Sequence, residues 1–369
     1  MFKGTYLKVV KLKFVEPPSS KRAVNRAGEA IAAMQETEID IATVDQWRGS
    51  HSKVLDTFKI FFRRRIESSG SNAEFVQRLK RRNTVIDKLR RRKSDGSKLI
   101  GDVTSMQDFA GCRLIFENLD ALYEFRKFLH SPANMKNVDH SLKHAAEPDK
   151  YNYIREPKWT GYRGLHEVFY FKPRSHRRDV DTAKPWRNLL CEVQYRTQIQ
   201  HAWATALEIS DFLDGERTKF ALENDPHNDR VVFFSLASEL LARVHEDCAE
   251  AFPEKTTQDL QSEVKNIEDR LGILKRLKAM RAFENYPSLG RHNVLNLTRG
   301  EEDESTLEVY VFKNQHDAIE KSKELESSPE SLNAVYVSAA KPSELRRAFK
   351  NYFYDPVDFV ELVEQALVF

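Results

Sequence analysis

The chain has 369 residues, 40% of them hydrophobic and 31% charged, with a formal net charge of +3. That balance excludes a disordered chain and leaves room for one large domain plus a smaller one. No stretch approaches about 18 apolar residues, and the opening "MFKGTYLKVVKLKF" lacks the apolar run of a secretory leader, so neither membrane nor export is expected. Three scattered cysteines, Cys112, Cys191 and Cys248, without a CxxC pair, argue against a disulfide framework or a zinc site and for a reducing, cytoplasmic setting. The small net charge hides a division. Residues 59–98 hold 14 Lys/Arg against 4 Asp/Glu, a local +10, whereas residues 300–369 hold 7 against 15, a local −8.

In chain order, residues 20–93 have mostly helical spacing, with breaks expected at "RGSHS" and "SSGSN". Runs rich in β-branched and aromatic residues follow: "CRLIF" (112–116), "LHEVFYF" (165–171) and "LLCEVQYRT" (189–197). An amphipathic helix, 119–130, lies between the first two. Strands alternating with helices predict an α/β (α+β) fold, a mixed β-sheet flanked by helices. Helical patterns continue over 197–214, 227–250 and 256–284. A boundary is expected near "ENYPSLGRHN" (284–293), dividing a body, 1–285, from a small carboxy-terminal α/β domain, 286–369. In the latter, strands 307–312 and 333–340 flank a helix at 315–327, with two short helices around "NYFYDP".

Four segments carry chemistry. In "RLKRRNTVIDK", Arg78, Lys80, Thr84 and Lys88 read as one helix face with Arg78 at its edge, a set suited to a run of phosphates or to a plain solvated surface. In "DFAGCRLIF", Asp108 precedes a strand and Arg113 lies within it. The first suits Mg²⁺, which takes one or two carboxylates plus substrate phosphates, and the second needs an anion to pair with. A simple salt bridge from Asp108 to Arg113 or to a lysine is the other reading. In "EVQYRT", Glu192, Gln194 and Arg196 share one strand face by the period of two, opposite Cys191, Val193 and Tyr195. In "PKWTGYRGLH", Tyr162 sits between Gly161 and Gly164 with Lys158, Arg163 and His166 nearby, either a turn or a platform for a nucleotide base. Neither GxxxxGK[ST] nor GxGxxG occurs, which excludes P-loop and Rossmann nucleotide sites.

These four segments, in this order and approximate spacing, resemble the RelA/SpoT synthetase domain over roughly residues 40–215. The resemblance implies a nucleotidyltransferase-like fold and pyrophosphate transfer from ATP to a ribose 3′-hydroxyl. By position, it implies that Arg78, Lys80, Thr84, Lys88 and Arg113 hold ATP, and that Asp108 and Glu192 hold Mg²⁺ and serve catalysis. It further implies that Lys158, Tyr162, Arg163, His166, Gln194 and Arg196 meet the acceptor, with Tyr162 stacking on its base.

Two departures narrow the resemblance. Gly164 stands where members with a free-nucleotide acceptor generally have serine, and Asn152 where aspartate is usual. "GYRGLH" and "HAWATALE" are more similar to toxic small alarmone synthetases, some of which modify the 3′ CCA end of tRNA. The basic 59–98 stretch then suits a nucleic-acid backbone. The whole-chain plan resembles the fused toxin–antitoxin CapRel group. There the tail, a zinc-finger-like unit without zinc ligands, contacts and silences the catalytic domain until a phage structural, capsid-like protein binds. Tyr352 and Tyr354 would be the regulatory tyrosines. Transfer to free GDP, GTP or adenine nucleotides is the alternative chemistry.

Overall fold

The computed structural model describes residues 14–93, 95–174, 183–213, 228–248, 251–279, 289–299, 305–328, 331–339 and 356–368. Tyr352 and Tyr354 lie outside them. The predicted mixed sheet flanked by helices is present. Among the described residues, eight strands form it: β1 (Glu74–Leu79), β2 (Ala110–Phe116), β3 (His140–Leu142), β4 (Leu165–Phe171), β5 (Leu190–Thr197), β6 (His292–Arg299), β7 (Ser305–Phe312) and β8 (Ser331–Ala339). Their spatial order is β3-β4-β5-β2-β1-β8-β6-β7, with β2 and β5 parallel and the other pairs antiparallel.

Two helices open the described chain, α1 (Lys21–Ala32) and α2 (Glu38–Ser69). A capping box between Thr37 and Asp40 starts α2, and Gly70, left-handed at φ 69°, ends it. The expected break at "RGSHS" does not occur. Ser50 Oγ and His51 Nδ1 each bond the Trp47 carbonyl, at 2.6 and 2.8 Å, so these residues satisfy themselves inside the helix. A second expectation also fails. Residues 74–79 form β1 rather than helix, because the segment is hydrogen-bonded along both edges, to β2 and β8. Arg78 is therefore on a strand and Lys80 just past its end. Only Thr84 and Lys88 of that set lie on a helix, α3 (Arg82–Arg90). The remaining helices are α4 (Leu119–Leu129), α5 (Pro132–Met135), α6 (Gln198–Leu213), α7 (Asp229–Leu241), α8 (Thr257–Leu271), α9 (Ile273–Ala279), α10 (Gln315–Glu326) and α11 (Val357–Val368). Gly272, at φ 60°, separates α8 from α9 within the stretch read as one helix.

Two cores hold the chain together. One gathers α1, α2, α4 and α10 against the sheet, with Phe58, Phe62, Phe109, Phe116 and Tyr195 buried. The other is a helical cluster of α6, α7, α8, α9 and α11, centred on Phe233, Phe234, Leu240 and Phe359. Residues beyond 285 contribute to both: Val294, Ala318 and Tyr336 to the first, Phe359, Val360 and Val363 to the second. The sequence signal for β6 was missed because Asn293 and Asn296 interrupt its apolar pattern. Both are buried and bonded, Asn296 Nδ2 to Glu308 Oε2 at 2.7 Å and Asn293 Nδ2 to the Gly290 carbonyl at 2.8 Å.

His51 and His140 are buried in the first core, and burial pushes each down to about 4. The folded chain keeps both neutral while the unfolded chain protonates them near 6.5. Stability present above about 6.5 is therefore lost as pH falls toward 4, at a cost on the order of 2 kcal/mol per histidine by pH 5. Urea melts at pH 7 and pH 5 should show this loss, and His140→Phe should remove that residue's share of it.

Candidate active site

The sheet register builds a cleft. Gly111 on β2 is paired with Arg78 on β1 and with Glu192 on β5, and Arg113 is paired with Gln194. The bare backbone at Gly111 leaves a floor between a cation and a carboxylate. These five residues and Asp108 line one open cleft. Asp108, in the turn before β2, takes the lysine alternative: Lys80 Nζ lies 2.5 Å and Lys88 Nζ 3.3 Å from its two oxygens. Thr84 is half-buried one turn before Lys88.

The charges are strongly coupled. Burial would raise the Asp108 pKa, but Lys80 and Lys88 outweigh it and hold the carboxyl well below its usual range. Lys80 is buried more deeply, and burial takes it down to about 8 despite Asp108. Burial and then the neighbouring Arg196 and Arg78 push Arg113 down to about 9. Three guanidinium groups around one cleft repel each other, and a polyanion relieves that cost.

Glu192 is held from two sides. Gln194 Nε2 donates to Oε2 at 2.8 Å, and His166 Nδ1 lies 3.2 Å from Oε1. Burial raises its pKa, His166 lowers it more, and the result is about 2. His166 is drawn the other way. Burial disfavours its charge, yet Tyr162 and Glu192 lift it to about 9. The Tyr162 hydroxyl meets His166 Nε2 at 2.5 Å and accepts from Arg196 Nη2 at 3.1 Å. The result is one connected row, Glu192–His166–Tyr162–Arg196, which aims the Tyr162 ring. Lys158 lies 5.7 Å from that ring's centre and Arg196 5.3 Å.

The loop carrying Tyr162 is fastened to α7. Ser235 Oγ donates to the Trp159 carbonyl at 2.9 Å, and Ser238 Oγ to the Gly161 carbonyl at 2.5 Å. Gly161 has φ +84° and Gly164 φ +149°, both in the region that favours glycine. A Cβ at Gly164 would stand 3.2 Å from the Tyr162 hydroxyl, which is the local reason for glycine rather than serine there.

Of the residues expected to meet the acceptor, Arg163 is corrected. Its Nη2 lies 2.5 Å from Glu239 Oε2 on α7, both side chains almost wholly buried, so it anchors the loop instead of facing phosphates. Gln194 acts through Glu192. Two neighbouring positions were not singled out from sequence. Tyr153 packs edge-on to Tyr162 at 5.7 Å with Lys158 Nζ over its ring at 4.5 Å. Trp159 is 47% exposed on the pinned loop. Both stand inside the motif "YNYIREPKWTGY", and only their surroundings distinguish them from turn residues.

Asp108 and Glu192 present hard oxygen donors on one cleft and feel each other's charge. They fit Mg²⁺, which takes one or two carboxylates and completes its shell with water and phosphate. No group of three His, Cys, Asp or Glu that could hold a metal occurs among the described residues. Among those residues, no helix is long and apolar enough to cross a membrane.

Residues 77–210 match the family model described as a region found in RelA / SpoT proteins. Among solved structures, the small alarmone synthetase 1 from Bacillus subtilis bound to its product pppGpp is similar at 22% identity. It covers 52% of this chain and 88% of that one, with a TM-score of 0.36. The protein smu.1046c from Streptococcus mutans UA159 is similar at 22% identity, covering 53% and 93%, with a TM-score of 0.34. No curated protein matches the chain. The matched region, residues 77–210, contains the cleft residues from Arg78 to Arg196.

Proposed function

We propose that this region transfers pyrophosphate from ATP to a ribose 3′-hydroxyl. The observation that carries the reading is the cleft itself, where Asp108 and Glu192 face Arg78 and Arg113 with Lys80 and Lys88 at its edge. The cations meet the triphosphate and hold the β-phosphorus in line with the incoming hydroxyl. Glu192, fixed by His166 and Gln194, receives the hydroxyl's hydrogen bond and its proton as the new O–P bond forms. The bond from the β-phosphorus to the α-bridging oxygen breaks, and AMP leaves. Mg²⁺, held by Asp108 and Glu192, would supply neutralising charge on the phosphates. Tyr162, Tyr153 and Lys158 position the acceptor base, an arrangement with ring and cation that suits stacking.

The acceptor proposed is the 3′ CCA end of tRNA. Support comes from the glycine required at 164, the +10 stretch at 59–98 and the exposed Trp159, a second ring for a neighbouring base. On this reading the enzyme blocks translation as a toxin. The acidic tail, 286–369, restrains it until a phage capsid-like protein engages the tail. Free GDP, GTP or adenine nucleotides are the second reading, for which the same cleft serves.

Incubation with ATP labelled at its β-phosphate, plus tRNA, GDP, GTP or ADP, decides between them. Label on tRNA that falls at least tenfold in Trp159→Ala is expected; label confined to free nucleotides would reject the tRNA reading. Point variants are the better probe of the tail, because deletion from 286 onward removes Val294 and Tyr336 from one core and Phe359 from the other.

A further inference from the structure

Helix α10 ends by placing a carboxylate inside the body. The Glu326 side chain is 2% exposed, and its Oε2 lies 2.8 Å from Arg48 Nη2. Its Oε1 accepts from the backbone N–H of Arg82 at 3.2 Å and from Arg48 Nη1 at 3.4 Å. Arg82 is the first residue of α3, so that N–H is one of the donors a helix leaves unpaired at its start. Arg48 Nη1 also donates to the Lys80 carbonyl at 3.1 Å, which ties the cluster to the lysine on Asp108. Asp45 supplies one further carboxylate, 3.3 Å from Arg48 Nε and bonded to Arg82. Arg82 Nη1 donates to Ser327 Oγ at 2.7 Å.

The Arg48 guanidinium and a helix-start N–H thus converge on a single tail carboxylate, while the Arg82 guanidinium beside them is bonded to Asp45 and Ser327. This donor set is what a phosphate takes: an arginine fork plus a helix N-terminus, with a second arginine within the same cluster. The carboxylate fills it incompletely. Arg48 Nη2 and Glu326 Oε2 stand at ion-pair distance without an aligned hydrogen bond, and Arg82 Nε, Arg48 Nη2 and Glu326 Oε2 are all buried without a hydrogen-bond partner. Burial disfavours the Glu326 charge. Apolar side chains of similar volume often serve stability as well as a buried ion pair does.

We propose that Arg48, Arg82 and the start of α3 form a phosphate-binding site beside the donor residues, and that Glu326 occupies it as a surrogate while the tail is docked. The inference rests on the pyrophosphotransferase reading of the adjoining cleft. The phosphate is a nucleotide's or a polynucleotide backbone's.

The test uses the full chain with Glu326→Ala and with Glu326→Gln, which keeps the volume and drops the charge, each measured for affinity toward ATP and toward tRNA at several salt concentrations. Affinity about tenfold tighter in Glu326→Ala, reversed by adding Arg82→Met, supports the site. A gain for tRNA with a salt slope steeper by about one identifies a backbone phosphate, and a gain for ATP alone a nucleotide phosphate. Unchanged affinity for both ligands in folded Glu326→Gln overturns the proposal, as does a gain that Arg82→Met leaves intact. Label transfer from ATP is followed in parallel. Transfer without a change in affinity removes the site and leaves the cleft's reading standing, whereas tighter phosphate binding without any transfer does the reverse.

Discussion

Asp108→Asn is expected to lower pyrophosphate transfer by about a thousandfold or more while the chain stays folded. The side chain keeps its volume and loses the charge that balances Lys80 and Lys88 and that, on the proposed reading, would hold Mg²⁺. Breaking a buried ion pair ordinarily costs several kcal/mol, because the remaining charge is stranded. Here Lys80 is already down at about 8, so without Asp108 it sheds its proton near neutral pH instead of unfolding the cleft. Melting should therefore change little while turnover collapses. Rates of label transfer, ATP affinity and a thermal melt measured on one preparation check this. Activity within tenfold of the parent would remove Asp108 from the chemistry.

Gly161→Ala is expected to cost about a hundredfold in kcat/KM for the acceptor and to leave ATP affinity within twofold. Its φ of +84° strains any side chain, and a Cβ would lie 2.9 Å from Ser235 Cα and Ser238 Cβ and 3.0 Å from the Phe234 carbonyl. Those atoms belong to α7, whose own Leu240 and whose core neighbour Phe359 are wholly buried and do not yield. The loop must lift instead, carrying the Tyr162 ring away from its bonds to His166 and Arg196. The residues proposed to hold ATP lie on β1 and just past its end, on β2 and on α3, and are not moved, which separates this effect from general misfolding. Tyr162→Phe, which keeps the ring and loses the hydroxyl bonds, should fall between the parent and Gly161→Ala. Equal losses for donor and acceptor would contradict this division of the site.

Much of the site was legible in sequence because its side chains come in short runs. Glu192, Gln194 and Arg196 share a face by strand period alone, and Asp108 announces itself by standing just before an apolar strand. The row from Glu192 to Arg196 was not legible, since it joins β5 through His166 on β4 to a loop. Arg163 was misread for a related reason. A cation beside a nucleotide-binding tyrosine suggests phosphate, and only α7 packing behind the loop supplies Glu239. Arg48 and Glu326 are 278 residues apart and carry no local sign of each other.

By itself the sequence determined the mixed sheet flanked by helices and the residue types of the cleft. It also determined the opposed charge of body and tail. Each of these follows from periods of two or 3.6 and from composition, which are properties of neighbouring residues. The tertiary structure decided whether 74–79 would be strand or helix and where β6 lies. It also joined the tail to both cores and chose which cations face the cleft. Those outcomes depend on what the other edge of a strand bonds to and on which distant side chain satisfies a buried charge. Cross-strand hydrogen bonds and ion pairs are formed between segments far apart in the chain, so no window of sequence contains both partners.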